Sequence, residues 1–516
     1  MEGILLMRDW NEGYFTESAY TYGYYRELNP VYQKFCLLAN GFYPPESSSE
    51  SVHCELGYGQ GVSIGIHAAA NPGCYIGTDF NPAHAAHANE LLKASGSPSQ
   101  FFDDSFEEML DRELPKFDSI SLHGIWAWVS PENQRHIVEF ARRFLKPGGI
   151  FYSSYNCLPG WAPDAPLREL MYMYDKYAHK STVTHKRVDE ALNFAEELLA
   201  ANPLYMKNAP NMSAHLDNIK CQDHDYLAHE YFNGNWQCVY FTEMLEALRP
   251  AKLEYACTAI PLEVIDEFNI SHEARKFLRK LDNPIMREQA KDYFVSRAFR
   301  KDIYIRGARR MPEQERINRI LGMRYVLMTM DKVPLKFNAP VGEVVVSDKI
   351  YNPIIDYLKE NNGCPKDFIE FHKEHSEISA QSLINAIIVL VHRSVISPCQ
   401  SEEAAASVKE RCDRLNDYLC ERAKTSDDVK FLASPVTGGA IGIDKMGQMF
   451  LFCYKQDKHD SNSMAEAMWG ILSSQGQMMT KEKRMEPPEE DITELKSRAD
   501  NFFKKVLPTL KALQIA

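Results

Sequence analysis

Apolar positions follow two rhythms along this chain. From Val52 to about Asn156 short apolar runs alternate with helix-period stretches: "VHCEL", a helix after Gly61, "CYIGTD", the helix "PAHAAHANELLKAS", "SQFFDD", "FDSISLHG", a helix from Pro131 and "GIFYSSYN". Alternation of this kind predicts parallel strands joined by crossover helices. In the helix opened by "SPEN", Ser130 is the N-cap and Pro131 the first helical residue, and "LKPGG" ends it with Gly148 and Gly149 in the turn. Beyond about Pro166 the spacing changes to long amphipathic stretches, "RVDEALNFAEELLAAN", "HDYLAHEYF" and "EQAKDYFVSRAFRKDIYIRG", which read as a mostly helical region. Short β-like runs flanking helices between Val333 and His375 predict a small α+β module. "SLINAIIVLVHRSVI", interrupted by Asn385 and His392, reads as a buried core helix. "VKFLASPVTGGAIGIDKMGQMFLFCYK" turns at Gly438 and Gly439, and a charged helix from Asp491 follows the break "EPPEED".

At 516 residues the chain is too long for one core. The Pro- and Ser-rich "YPPESSSES" separates a Tyr-rich N-terminal segment from the first strand. No window is apolar enough for a membrane span, and "MEGILLMRDW" lacks the features of a secretory signal, so the expected location is the cytoplasm. The twelve cysteines contain no Cys-x-x-Cys pair and predict neither a disulfide framework nor a zinc knuckle. His84 and His87 lie one helical turn apart without an acid-bearing metal motif around them, and no metal is expected. A formal charge of −13 argues against nucleic acid as a partner and mildly favours a cationic substrate.

Candidate chemistry centres on "ELGYGQG". Gly57, Gly59 and Gly61 let backbone approach a ligand closely, and the helix that follows adds positive potential at its N-terminus. The order is not the G-x-G-x-x-G of a dinucleotide fingerprint. Glu55, two residues before Gly57, would sit beside a pyrophosphate, which disfavours NAD and suits a cationic sulfonium. Asp79 ends the second strand where a carboxylate accepts ribose hydroxyls, and Asp103, Asp104 and Ser105 end the third, placed to accept from an adenine amino group. Each acid alone reads as a helix cap or a solvated turn; three at consecutive strand ends point to an adenosine.

These motifs, "ELGYGQG", "GTDFNP" and "FDDSF", resemble those of the class I S-adenosylmethionine-dependent methyltransferases. "FDSISLHGIWAWVSPENQ", "LKPGGIFYSSYNCLPGW", "YLAHEYFNGNWQCVYFTEM" and "FRKDIYIRG" are similar to the branch with a methyltransferase regulatory domain, which includes bacterial protein-lysine methyltransferases acting on surface proteins. The resemblance covers most of residues 14–310 and the C-terminal part only loosely. It implies an α/β fold: a doubly wound, mostly parallel seven-stranded, Rossmann-like methyltransferase sheet, with additional helical and small α+β C-terminal domains. The expected division is a Tyr-rich lid at 1–45, an S-adenosylmethionine-binding domain at 46–175, a helical regulatory domain at 176–325, a small α+β domain at 326–400 and a C-terminal domain at 401–516. The implied cofactor is S-adenosylmethionine. Its expected contacts are Tyr22 from the lid, Glu55, Gly57, Tyr58, Gly59 and Gly61 from the glycine loop, Asp79 and Phe80, then Asp103, Asp104 and Ser105, and finally His123 and Gly124 after the fourth strand.

Methyl transfer from a sulfonium is an in-line displacement, so the protein mainly aligns the reactants in a dry site. Aromatic rings suit the cation, and Trp126, Trp128, Tyr155 and the lid tyrosines Tyr20, Tyr22 and Tyr25 are candidates for that role. His123 is the candidate to orient or deprotonate a nucleophile and Asn156 to hold the acceptor, giving His123, Trp126, Tyr155 and Asn156 as the expected catalytic set. A protein lysine is the acceptor that the resemblance suggests. A glycan or lipid hydroxyl, or a non-catalytic S-adenosylmethionine-binding interaction protein, stays open, as does a homodimer.

Overall fold

A computed structural model describes residues 13–18, 20–474 and 488–516. The first helix, α1 (Pro30–Ala39), starts at Asn29, whose side chain accepts from the Val31 N–H at 2.9 Å; Pro30 in its first turn has no N–H to leave unpaired. The linker at "YPPESSSES" leads to the sheet. Its elements follow as β1 (Val52–Leu56), α2 (Val62–Ala70), β2 (Cys74–Thr78), α3 (Pro82–Ser95), β3 (Gln100–Phe102), α4 (Phe106–Asp111), β4 (Phe117–Leu122), α5 (Pro131–Phe144) and β5 (Leu145–Asn156). Ser130 caps α5 by accepting from the Asn133 N–H. The β1, β2 and β4 strands are buried along almost their whole length, as parallel strands covered by helices on both faces must be.

The sheet has seven strands in the order β3-β2-β1-β4-β5-β7-β6. The last two, β6 (Leu253–Thr258) and β7 (Phe299–Arg306), come from the region expected to be helical. Pairing is parallel from β3 through β5, and β7 runs antiparallel to both β5 and β6. "FRKDIYIRG" is thus a strand and not the end of an amphipathic helix. Its charges mislead because two of them are buried: Arg300 pairs with Asp302 at 2.8 Å, with Asp292 at 2.7 Å and with Glu288 at 2.8 Å on one face of the sheet. Ile303 and Ile305 fill the other face. The rest of that region is helical, including Thr184–Ala200, His224–Tyr231 and Pro284–Phe294.

Farther along, the hairpin Lys336–Ala339/Gly342–Val345 precedes the helix Asp348–Lys359, and Ala380–His392 is a core helix with Leu383, Ile384 and Ala386–Val391 all buried. The hairpin Phe431–Ser434/Gly439–Gly442 forms around the expected turn. The final helical segment begins at Pro488, three residues before Asp491. The C-terminal part packs directly on the first: the long helix Glu402–Arg422 puts Val408, Cys412 and Leu415 against Val62, Ile66 and Ala69 of α2 and Leu91 of α3. Among the described residues no helix is long and apolar enough to cross a membrane.

Candidate active site

The carboxyl ends of β1, β2 and β4 surround a pocket of about 980 Å³, roofed by the N-terminal segment. Ligands bind in open α/β sheets at this rim. Gly57, Gly59 and Gly61 all have positive φ (73°, 58° and 73°), which only glycine adopts without strain. What a side chain would strike is protein: Ile125 at 2.4 Å from a Cβ on Gly57, Tyr20 at 3.1 Å from one on Gly59, and Ala88 of α3 at 2.3 Å from one on Gly61. Gly57 and Gly59 line the pocket; Gly61 instead permits close packing of α2 on α3.

Asp79 is almost wholly buried yet lines the pocket. Its Oδ2 accepts from the Gly59 N–H at 2.8 Å, and its Oδ1 from the Asn81 N–H at 3.1 Å and from His84 Nδ1 at 3.0 Å. The other imidazole nitrogen of His84, Nε2, accepts from the Tyr20 N–H at 3.4 Å. Gln60 Nε2 donates to the Tyr20 carbonyl at 3.2 Å and the Tyr25 N–H to Ser63 Oγ at 2.9 Å. The segment from Tyr20 to Tyr25 is therefore a strap stitched to the glycine loop, α2 and α3. Nothing in the spacing of His84 along the sequence shows that it joins the strap to Asp79.

Glu55 is 6% exposed and also lines the pocket. Burial, and then the charge of Asp79, push its carboxyl up to about 8. A carboxyl in this state is a receptor for a cation, because only a positive ligand makes its ionised form stable there. Tyr14, Tyr20 and Trp128 add aromatic faces: Tyr14 and Trp128 lie 6.2 Å apart between ring centroids, Tyr20 and Trp128 5.8 Å. The buried carboxyl, the Asp79 rim and these rings fit a cationic adenosine such as S-adenosylmethionine.

At the end of β4, His123 stacks on Tyr25 at 3.9 Å and shares a 2.9 Å hydrogen bond through Nδ1 with the Tyr152 hydroxyl. Burial pushes its imidazole down to about 3, outweighing the attraction of Glu27. Gly124, with φ +69°, opens space beside it: a Cβ there would meet nothing within 4 Å. Tyr58, Phe80, Asp104 and Ser105 complete the expected residues that line the pocket. Asp104 is held by Arg112, whose Nη2 donates to it at 2.9 Å, and Ser105 caps α4 in a reciprocal box with Glu108.

Five other expected residues lie outside the lining. Asp103 is exposed, and Tyr22 sets its ring against His87 at 5.1 Å. Trp126 is 2% exposed within the core. The Tyr155 hydroxyl donates to Asp302 at 2.7 Å, and the Asn156 side chain donates to Glu230 at 2.7 Å. The structure also brings in residues that sequence reasoning missed: Tyr14, His84, Phe106, Ile125 and Asn235. Asn235 comes from a segment far along the chain, and no local pattern marks it.

Comparison with known proteins gives a consistent picture. Residues 54–149 match the model of a methyltransferase domain, and residues 223–306 that of a predicted methyltransferase regulatory domain. An uncharacterized protein of Synechocystis sp. (strain ATCC 27184 / PCC 6803 / Kazusa) is 35% identical over 511 residues, which covers 98% of this chain and 100% of that protein. An uncharacterized protein of Rickettsia prowazekii (strain Madrid E) is 27% identical over 282 residues, covering 54% of this chain and 49% of its own. Among solved structures, PKMT2 from Rickettsia typhi in complex with AdoHcy shares the fold with a TM-score of 0.68 at 18% identity, over 97% of this chain and 100% of that one.

Proposed function

We propose that this chain, which belongs to the class I S-adenosylmethionine-dependent methyltransferases that carry a methyltransferase regulatory domain, methylates the side-chain amine of lysine in a protein. When bound, S-adenosylmethionine supplies a methyl group on a sulfonium: an amine lone pair forms the N–C bond as the S–C bond breaks, the bonding pair goes to sulfur, and one proton leaves nitrogen to water. The residues that would hold it are Gly57 and Gly59 by close backbone approach, Asp79 at the ribose and Glu55 at the cationic end, with Tyr14, Tyr20 and Trp128 excluding water.

The observation that carries the choice of acceptor is the placement of His123. Its Nδ1 is engaged by the Tyr152 hydroxyl at 2.9 Å and its ring is stacked on Tyr25 at 3.9 Å, and burial holds the imidazole well below its ordinary range, which makes it a poor base. A hydroxyl stays protonated at pH 7 and needs a positioned base during transfer, which such an imidazole does not supply. An amine needs none once it has lost its proton in solution, at a cost of about 5 kcal/mol for a reference pKa near 10.4. His123 then orients and packs against the acceptor. The twelve cysteines are all unpaired, which suits a reducing cytoplasm.

The test supplies labelled methyl donor to the whole chain with a lysine peptide, a glycan fraction and a native cell extract, followed by mass spectrometry. Methyl-lysine is the expected product. Label on a hydroxyl, with lysine unmodified, would refute the assignment.

A further inference from the structure

Two cavities in this molecule meet at one aromatic side chain. The first is the pocket at the glycine loop. The second, of about 1110 Å³, lies between the strap, β7 and the C-terminal half, with walls that include Tyr32, Met328, Ile396, Phe431 and Ile441. Tyr25 lines both. In-line displacement requires the nucleophile to arrive from the side opposite the leaving sulfur. A donor seated on the glycine loop therefore needs a second cavity for its acceptor, reaching the first near His123.

We infer that the second cavity is the acceptor corridor, that it takes the aliphatic arm and neutral amine of a lysine side chain, and that Tyr25 is the gate between it and the donor pocket. This rests on the lysine reading given above and adds where the acceptor enters and which residues select it. The Tyr25 N–H is fixed on Ser63, so opening falls to the side chain alone. The phenol lies folded over Gly23, where a Cβ would come within 2.7 Å of its oxygen. Rotation of the ring away from His123 joins the cavities without moving the strap.

The chemistry of the corridor suits an alkyl amine. Tyr32, Met328, Ile396, Phe431 and Ile441 give it an apolar and aromatic wall for a chain of methylenes, opposite a polar part that includes Arg26, Glu27 and Lys301. Its charged groups are already engaged: Lys301 pairs with Glu27 at 2.7 Å, and Arg26 donates to the carbonyls of Val391 at 3.1 Å and His392 at 2.9 Å. Burial alone would raise the Glu27 carboxyl, but Lys301 and its neighbours hold it below the usual range, so it stays ionised. With that one carboxylate neutralised and two cations nearby, an entering amine is favoured in the uncharged, nucleophilic form.

The test narrows the corridor from walls remote from the donor pocket, with Ile441→Trp on the hairpin and, as an independent second variant, Ser397→Phe on the strand Ile396–Pro398. Binding of S-adenosylhomocysteine by calorimetry should stay within about twofold of wild type, while KM for a lysine peptide rises about tenfold or more. A second readout is ligand-observed NMR of N-acetyl-lysine methylamide on the protein saturated with S-adenosylhomocysteine: contact with wild type and its loss in both variants is expected. Variants that bind S-adenosylhomocysteine normally and keep the wild-type KM and NMR contact would overturn the corridor while leaving lysine methylation standing. A wild-type protein that binds S-adenosylhomocysteine but transfers nothing to lysine would overturn the functional reading instead.

Discussion

Glu55 makes the affinity for a cationic ligand depend on pH in a way that can be worked out in advance. Burial and Asp79 raise its carboxyl from 4.5 to about 8, which corresponds to about 5 kcal/mol favouring the neutral form at roughly 1.36 kcal/mol per tenfold. At pH 6 about 1% of such groups are ionised, at pH 7 about 9% and at pH 8 about half. A ligand whose positive charge needs the carboxylate must therefore expel a proton on binding below pH 8, and its affinity climbs roughly tenfold from pH 6 to pH 7. Calorimetry with S-adenosylmethionine, which carries the sulfonium charge that S-adenosylhomocysteine lacks, at several pH values and in buffers of different ionisation enthalpy, counts that proton directly. Glu55→Gln removes the titrating group, and subtracting its slope from that of wild type removes the ligand's own titration. In the free protein the same group acts on stability with the opposite slope. The contribution is fully present below 4.5 and is lost as pH rises through about 8, because the folded state holds the proton more tightly. An affinity with the same pH slope in wild type and Glu55→Gln would refute this account.

Three further substitutions test separate parts of the structure. His84→Ala removes both the donor to Asp79 and the acceptor for the Tyr20 N–H; at about 1 kcal/mol for a hydrogen bond, S-adenosylhomocysteine should bind roughly fivefold more weakly, and unchanged affinity would contradict the strap's attachment. Gly61→Ala places a Cβ 2.3 Å from that of Ala88 at a backbone φ of +73° and should cost about 1–3 kcal/mol, read as a fall in thermal midpoint; an unshifted midpoint would show that α2 and α3 separate freely. Asp302→Ala leaves Arg300 short of one buried carboxylate and the Tyr155 hydroxyl without its acceptor, with an expected loss of about 3–5 kcal/mol in denaturant titration. A loss below about 1 kcal/mol would mean that Asp292 and Glu288 suffice for Arg300.

Much of the glycine-loop side of the pocket was legible in the residues themselves. The order of Glu55, Gly57, Gly59 and Asp79 fixes a tight loop between a strand and a helix and an acid one strand away, and Ser130 with Pro131 marks a helix start. Such features depend on neighbours a few positions apart, so a linear reading reaches them. Side-chain direction at the later strand ends was less accessible. Tyr155 and Asn156 end β5 as expected, yet one points to Asp302 and the other to Glu230, because successive residues on a strand face opposite sides and each found a distant buried partner.

The sequence by itself determined the parallel half of the sheet, the glycine loop and the acidic rim, since local periodicity and backbone sterics dictate them. Only the tertiary structure decided that the charged segment Phe299–Arg306 is an interior strand, that His84 ties the strap to Asp79, and that Tyr25 lines two cavities. Each of those depends on desolvation and pairing between residues remote along the chain. A buried ion pair and an exposed charge read alike in a sequence, and differ only once the partners meet.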